Sequence, residues 1–150
     1  MGLLIKNATF VTAERRWQGD LHATGGRIAA LDQGLEPGAG DEIIDASGRL
    51  VFPGGVDPHV HMELPVAGTV SSDDFETGTA AGLAGGTTTI VDFVHPERGE
   101  SMADALAARL EIASKAVADY GLHMAVTWWG DETGEWMRRC VEEGVPSFKT

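Results

Sequence analysis

Leu50-Val51-Phe52-Pro53-Gly54-Gly55-Val56-Asp57-Pro58-His59-Val60-His61 is the stretch that decides how this chain folds. An apolar, β-branched run ends there in two imidazoles, two residues apart. Side chains on a strand alternate faces, so residues i and i+2 project the same way. That spacing sets His59 and His61 side by side, at a separation that suits one metal ion. A polar pair closing an apolar strand also needs partners, because an unpaired buried imidazole costs free energy. Histidines satisfied by backbone or carboxylates are the alternative. Gly54-Gly55 before the pair and the acid-bearing Met62-Glu63-Leu64-Pro65 after it favour the metal.

Outward from this run, towards the C-terminus, the chain repeats strand, loop and helix. Val56 to His61 is the expected first strand. Asp73, with Glu76 three residues on, has the spacing of a capping box for a helix ending at Leu83, before Gly85-Gly86. Thr87 to Val94 is nearly continuous in β-branched and apolar residues, as in a strand buried on both faces. Ser101 opens a second helix, expected to run to Asp119 with Met102, Leu106, Leu110, Ala113 and Val117 on its apolar side. Gly121 ends it, and His123 to Trp129 is the third expected strand. That placement puts His123 at the start of its strand, the wrong end for chemistry. A helix from Glu135 to Glu143 and a strand from Val145 to Thr150 follow. Asp92 and His95 close the second strand. Asp57 has the position of a residue that orients backbone or a ligand, and Trp128-Trp129 suits wall packing.

Before Leu50 the pattern is one of short strands and tight turns, expected to form a small antiparallel sheet. Leu3–Thr12, Trp17–Thr24, Arg27–Leu31 and Glu42–Ala46 are its strands, with Gly25-Gly26 as a two-residue hairpin turn. Nothing in it suggests chemistry, and His22 there has a structural or exposed role. Residues 1–50 and 51–150 are thus two expected domains.

Alternating strands and helices imply a parallel sheet with right-handed crossovers. No glycine-rich phosphate loop follows the first strand, which argues against an open nucleotide-binding sheet. The expected α/β fold is the first half of a (β/α)8 barrel, preceded by part of a small β-sandwich. Functional groups of such barrels sit at the C-terminal strand ends, where His59, His61 and Lys149 fall. A fourth strand with no helix behind it leaves a bare sheet edge. The 150 residues are therefore expected to be the N-terminal part of a longer protein, since a barrel needs about 250.

With 11 basic and 23 acidic side chains the chain carries a net charge of −12. Such a surface repels phosphate backbones and anionic lipid, so neither nucleic acid nor membrane is an expected partner. No apolar run is long enough to span a bilayer. The single cysteine, Cys140, excludes an internal disulfide, suits a reducing cytoplasm, and lies in a predicted helix as a packing residue.

Pro53 to Pro65 resembles the signature of the dihydropyrimidinase and hydantoinase family of the amidohydrolase superfamily. Gly68 to Ala81, Gly85 to Phe93 and Ser147-Phe148-Lys149 are similar to further segments of the same family. The loop Met62-Glu63-Leu64-Pro65-Val66-Ala67-Gly68 favours this branch over dihydroorotases and allantoinases, which share His-x-His. Val66 departs from the pattern, since many relatives carry an aromatic there.

The resemblance implies hydrolysis of the cyclic amide of a dihydropyrimidine or hydantoin, giving an N-carbamoyl amino acid. It implies two divalent cations, zinc by expectation, with a hydroxide between them as nucleophile. His59 and His61 would hold the more buried ion, and Lys149, carbamylated by carbon dioxide, would bridge both. Two more histidines and an aspartate base are expected from strands beyond Thr150. Met62 and Leu64 are candidates to line the substrate pocket. A homo-oligomer, a tetramer by analogy, and a small cyclic amide substrate are the implied partners. The rival readings are an allantoinase- or dihydroorotase-type enzyme, a non-catalytic scaffold on the same barrel, and a metal-free α/β domain with structural histidines.

Overall fold

The structure is a computed structural model that describes residues 1–150. It divides into two compact units, Met1–Pro53 and Gly54–Thr150. No helix is long and apolar enough to cross a membrane.

In the first unit β1 (Gly2–Val11), β2 (Arg16–Thr24), β3 (Arg27–Asp32), β4 (Glu42–Asp45) and β5 (Leu50–Val51) form one sheet. Its order is β3-β2-β1-β4, with β5 also paired to β1. Gly25 and Gly26 both have positive φ, 57° and 72°, and make the expected two-residue hairpin with Thr24 opposite Arg27. The sheet is mixed, not antiparallel: β4 and β5 run parallel to β1. The loop through Gly38 and Asp41 has room to carry the chain back to the start of β1, where Asp41 takes the Gly2 N–H at 2.7 Å. Phe10 stacks on its cross-strand partner Trp17, with centroids 5.5 Å apart, over Ala8 and Ala46.

The second unit is a four-stranded parallel sheet of order β11-β10-β9-β6. Its strands are β6 (Gly55–Asp57), β9 (Thr87–Val94), β10 (Asp119–Ala125) and β11 (Phe148–Lys149). A two-stranded hairpin, β7 (Pro65–Val66) and β8 (Thr69–Val70), sits in the first crossover. The helices are α1 (Phe75–Ala84), α2 (Met102–Ala113) and α3 (Thr133–Glu142). One core cluster joins Val94, Met102, Leu106, Leu122, Met124 and Cys140. A second joins Phe75, Ile90 and Ala113.

Several boundaries differ from expectation, each for a local reason. β6 stops at Asp57 because Pro58 has no N–H to give to the ladder. α1 is capped by Asp74 and not Asp73: its carboxylate accepts the Thr77 N–H at 2.7 Å, and Thr77, not Glu76, closes the capping box. Ser101 caps α2 as expected, accepting the Ala103 N–H at 3.2 Å. That helix ends at Ala113, since the Val117 N–H goes to the Thr79 hydroxyl of α1 at 3.0 Å. Leu110 and Val117, expected on its apolar side, are exposed. The chain freed in this way starts β10 at Asp119, and Gly121 becomes a strand residue beside Val91.

Candidate metal site

Because β6 is short, His59-Val60-His61 lies past the strand end and is held by groups from its neighbours. The His59 N–H is accepted by Asp57 Oδ1 at 3.1 Å. The Val60 N–H continues towards β9, reaching the Val91 carbonyl at 3.1 Å. The His61 carbonyl accepts the Ser71 hydroxyl at 3.0 Å, and Ser71 Oγ accepts the Leu64 N–H at 2.8 Å. The Met62 peptide is gripped from both sides. Asp92 Oδ1 accepts its N–H at 3.4 Å, and Arg109 Nη2 donates to its carbonyl. Arg109 also donates from Nε to Asp92 Oδ2 at 2.9 Å, and its guanidinium lies 4.9 Å from the centre of the Phe75 ring. A buried ion pair thus fixes the peptide that follows His61.

The result is a defined pair of imidazoles. His59 Nε2 and His61 Nε2 lie 3.3 Å apart, with rings nearly perpendicular at 79°. Two nitrogens bound to one tetrahedral zinc at about 2.0–2.1 Å would lie about 3.3–3.4 Å apart. The contact is long for a hydrogen bond, whose usual N···O range ends near 3.2 Å. His61 Nδ1 is buried and has no hydrogen-bond partner. Burial pushes the His61 pKa below its ordinary value, with His59 and Lys149 adding to this and Asp92 opposing it. Burial does the same to His95. Two ring nitrogens facing each other at this distance suit a shared cation, so the residues present fit a metal ion. No group of three or more histidine, cysteine or carboxylate side chains is arranged so that all could hold one metal ion.

Phe93, at the end of β9, is the common floor. Its ring centre lies 4.7 Å from that of His59, 4.9 Å from His61 and His123, and 5.9 Å from His95. Lys149 Nζ sits 4.4 Å from the same ring centre. Three sequence-predicted residues, His59, His61 and Lys149, therefore meet on one aromatic ring. A cleft of about 430 Å³ opens over His59, Phe93, His123 and Lys149. A larger cleft of about 650 Å³ in the first unit, lined by Lys6, Asn7 and Asp20, holds no histidine or cysteine and is not the site.

Met62 is packed against the cluster of Phe75, Ile90 and Ala113, where a Cβ on Gly78 would strike its sulfur. Leu64 lines a separate cleft of about 180 Å³ with Phe93, His95 and Arg109. His123, expected at the start of a strand, is instead the fifth residue of β10, paired with Phe93 at the chemical end of the sheet. Cys140 is buried in the core, and that burial pushes its thiol pKa up. His22 bonds Asp41 at 2.8 Å. Sequence reasoning missed Arg109, Phe93 and His123. The β-branched run that named β9 was a signal for Phe93; an arginine in a helix gave none for Arg109.

A parallel α/β sheet that gathers paired imidazoles and a lysine at its C-terminal strand ends defines a half-barrel unit suited to holding a metal ion. Known proteins make the class particular. The chain is homologous over its whole length to the N-terminal portion of dihydropyrimidinases and D-hydantoinases. It is 44% identical to the dihydropyrimidinase of Dictyostelium discoideum over 149 residues, 98% of this chain and 30% of that protein. It is 44% identical to the D-hydantoinase of Geobacillus stearothermophilus over 151 residues, 99% of this chain and 32% of that protein. The crystal structure of dihydropyrimidinase from Brevibacillus agri superposes with a TM-score of 0.95 at 43% identity, covering 100% of this chain and 33% of that one. The chain thus spans about a third of the length of these relatives. No protein-family model matches it.

Proposed function

We propose that this chain carries the first metal-holding part of a cyclic-amide hydrolase that opens dihydropyrimidine or hydantoin rings to N-carbamoyl amino acids. The observation that carries the reading is the 3.3 Å separation of His59 Nε2 and His61 Nε2 above Phe93, with Lys149 on the same ring. The names of the relatives supply the substrate class. The fold proposed for the whole protein is a closed (β/α)8 barrel with a completed β-sandwich.

His59 and His61 would hold one divalent cation, and Lys149 would reach the neighbouring position. Its ammonium form would repel a cation. Addition of carbon dioxide to the free amine, with loss of one proton, would convert Lys149 into a carbamate, an anionic group able to hold a cation. When bound, the metal pair supplies an acidified water and polarises a carbonyl. The chain's own residues supply position. Asp92 and Arg109 hold the Met62 peptide, Ser71 holds the His61 carbonyl, and Phe93 lies against both imidazoles. A small ring would enter the cleft that His59, Phe93, His123 and Lys149 line. The proposed partners are this substrate and further copies of the chain.

The test is metal content of the purified full-length protein together with hydrolysis of dihydrouracil and hydantoin. About two zinc per chain, with turnover abolished in Lys149→Ala and His61→Ala, is the expected result. Metal without turnover of either ring would move the substrate to another cyclic amide, such as allantoin or dihydroorotate. Absence of metal when zinc and bicarbonate are supplied overturns the enzyme reading and leaves the scaffold.

A further inference from the structure

His123 is one of the imidazoles at the site that the proposed function leaves without a task. Its Nε2 lies 3.1 Å from the carbonyl oxygen of Pro58. A carbonyl only accepts, so Nε2 carries the proton. Nδ1 is then an acceptor, and the Ser147 hydroxyl donates to it at 2.6 Å. Both ring nitrogens are thus hydrogen-bonded. The two partners are the peptide immediately before His59 and the residue two positions before Lys149. β10 is not a neighbour of β6, so the ring reaches past β9, touching Phe93 on the way.

This places one rigid group between the two segments that supply the candidate ligands. The Asp92–Arg109 pair grips the segment after His61, but its bonds go to Met62 and not to β11. The β10–β11 ladder positions Lys149 through Ala125, but does not reach β6. His123 is hydrogen-bonded to both segments. An imidazole has no internal rotation between its two nitrogens, so the distance it spans is fixed by the ring.

We propose that His123 is a positioning residue, a strut that sets the separation between the His59–His61 pair and Lys149. The proposal rests on those three side chains being the metal-holding residues. Pro58 is the natural point of attachment. With no N–H of its own it ends β6, and its carbonyl is left to be held by a side chain.

Three variants of the intact protein, loaded with zinc and bicarbonate, test the strut. His123→Gln sets an amide nitrogen near the place of Nε2 and keeps the Pro58 bond alone. His123→Asn sets an amide oxygen near the place of Nδ1 and keeps the Ser147 bond alone. Ser147→Ala removes only the hydroxyl and carries the least risk of misfolding. Each is expected to bind zinc roughly 10–100-fold more weakly, the usual effect of losing a group that supports metal ligands. The thermal midpoint should fall by only about 2–4 °C, as for one lost hydrogen bond in a chain of this size. Zinc affinity equal to the parent in all three variants overturns the strut. If the parent takes up no zinc, the metal reading fails on its own, and the strut is decided by ring ¹⁵N shifts. An Nε2–H tautomer whose Nδ1 shift moves in Ser147→Ala supports it; an Nδ1–H tautomer or an averaging ring overturns it.

Discussion

Replacing Arg109 by methionine removes a charge from the interior of the α/β unit while keeping an unbranched stem over Phe75. The Asp92 side chain is 0% exposed and that of Arg109 11%, so the carboxylate left behind cannot reach solvent without a rearrangement. Breaking a buried ion pair from one side costs about 3–5 kcal/mol. The Met62 carbonyl loses its donor as well, and an unsatisfied buried acceptor costs about 1–3 kcal/mol. The two losses share one side chain and do not add in full, which gives a net expectation of about 3–4 kcal/mol. That is a large part of the roughly 5–15 kcal/mol that holds an ordinary domain. Urea unfolding at neutral pH, followed by tryptophan emission, measures it, because Trp128, Trp129 and Trp136 lie in this unit and only Trp17 in the other. A second arm separates lost packing from stranded charge. Adding Asp92→Asn to Arg109→Met neutralises the carboxylate and should restore about 1–3 kcal/mol. A loss below about 1 kcal/mol in the single variant, or a double variant weaker than the single one, would refute the buried clamp.

Two further outcomes rest on contacts elsewhere in the chain. In Gly54→Ala the new Cβ would fall against the Thr88 side chain, whose own Cβ is fixed by β9, so β6 must move away from its neighbour. The expected loss is about 1–3 kcal/mol; an unchanged thermal midpoint would contradict the close approach. Asp20 accepts the Asn7 N–H at 2.7 Å and the Leu35 N–H at 2.9 Å. These bonds, Asn7 first, hold its carboxyl below the ordinary 3.8 despite burial. A carboxyl depressed by folding stabilises above its unfolded value, and that contribution disappears as pH falls through the folded one. The unfolding midpoint should therefore drop steeply below about pH 4 in the parent and less steeply in Asp20→Asn, as urea titrations from pH 7 to pH 2 would show. Equal slopes would remove Asp20 from the acid response.

Much of this organisation was legible in the sequence because it depends on local chemistry. Gly25-Gly26 named its hairpin, Ser101 its helix start, and the β-branched run from Thr87 its strand. What escaped depends on partners distant in sequence. The direction of β4 is set by pairing with β1, which no period of its four exposed residues records. The segment from Ser114 to Asp119 continues a helical pattern, and it leaves the helix because Thr79 on another element takes the Val117 N–H. That single shift moved β10 by four residues and carried His123 from the far end of the sheet to the site. His59 and His61 were found from strand alternation, yet they lie beyond the strand, and their common direction comes from lateral bonds. Asp92 was noticed at a strand end, but its arginine partner lies 17 residues away on a helix face that showed no special pattern.

The early end of β6 also governs when the site can exist. With a ladder of its own, the imidazole pair could form as soon as two strands met. Here its shape is borrowed from β9, α2, β10 and the loop that carries Ser71, which reach it through Val91 and Asp92, Arg109, His123 and Ser71. The pair is therefore among the last features to assemble and among the first to be lost on local opening. A cation held there, as proposed, would stabilise only the assembled state, so its binding energy would be drawn into the folding of the whole unit by mass action. Saturation of the pair would then gauge how much of this unit is folded.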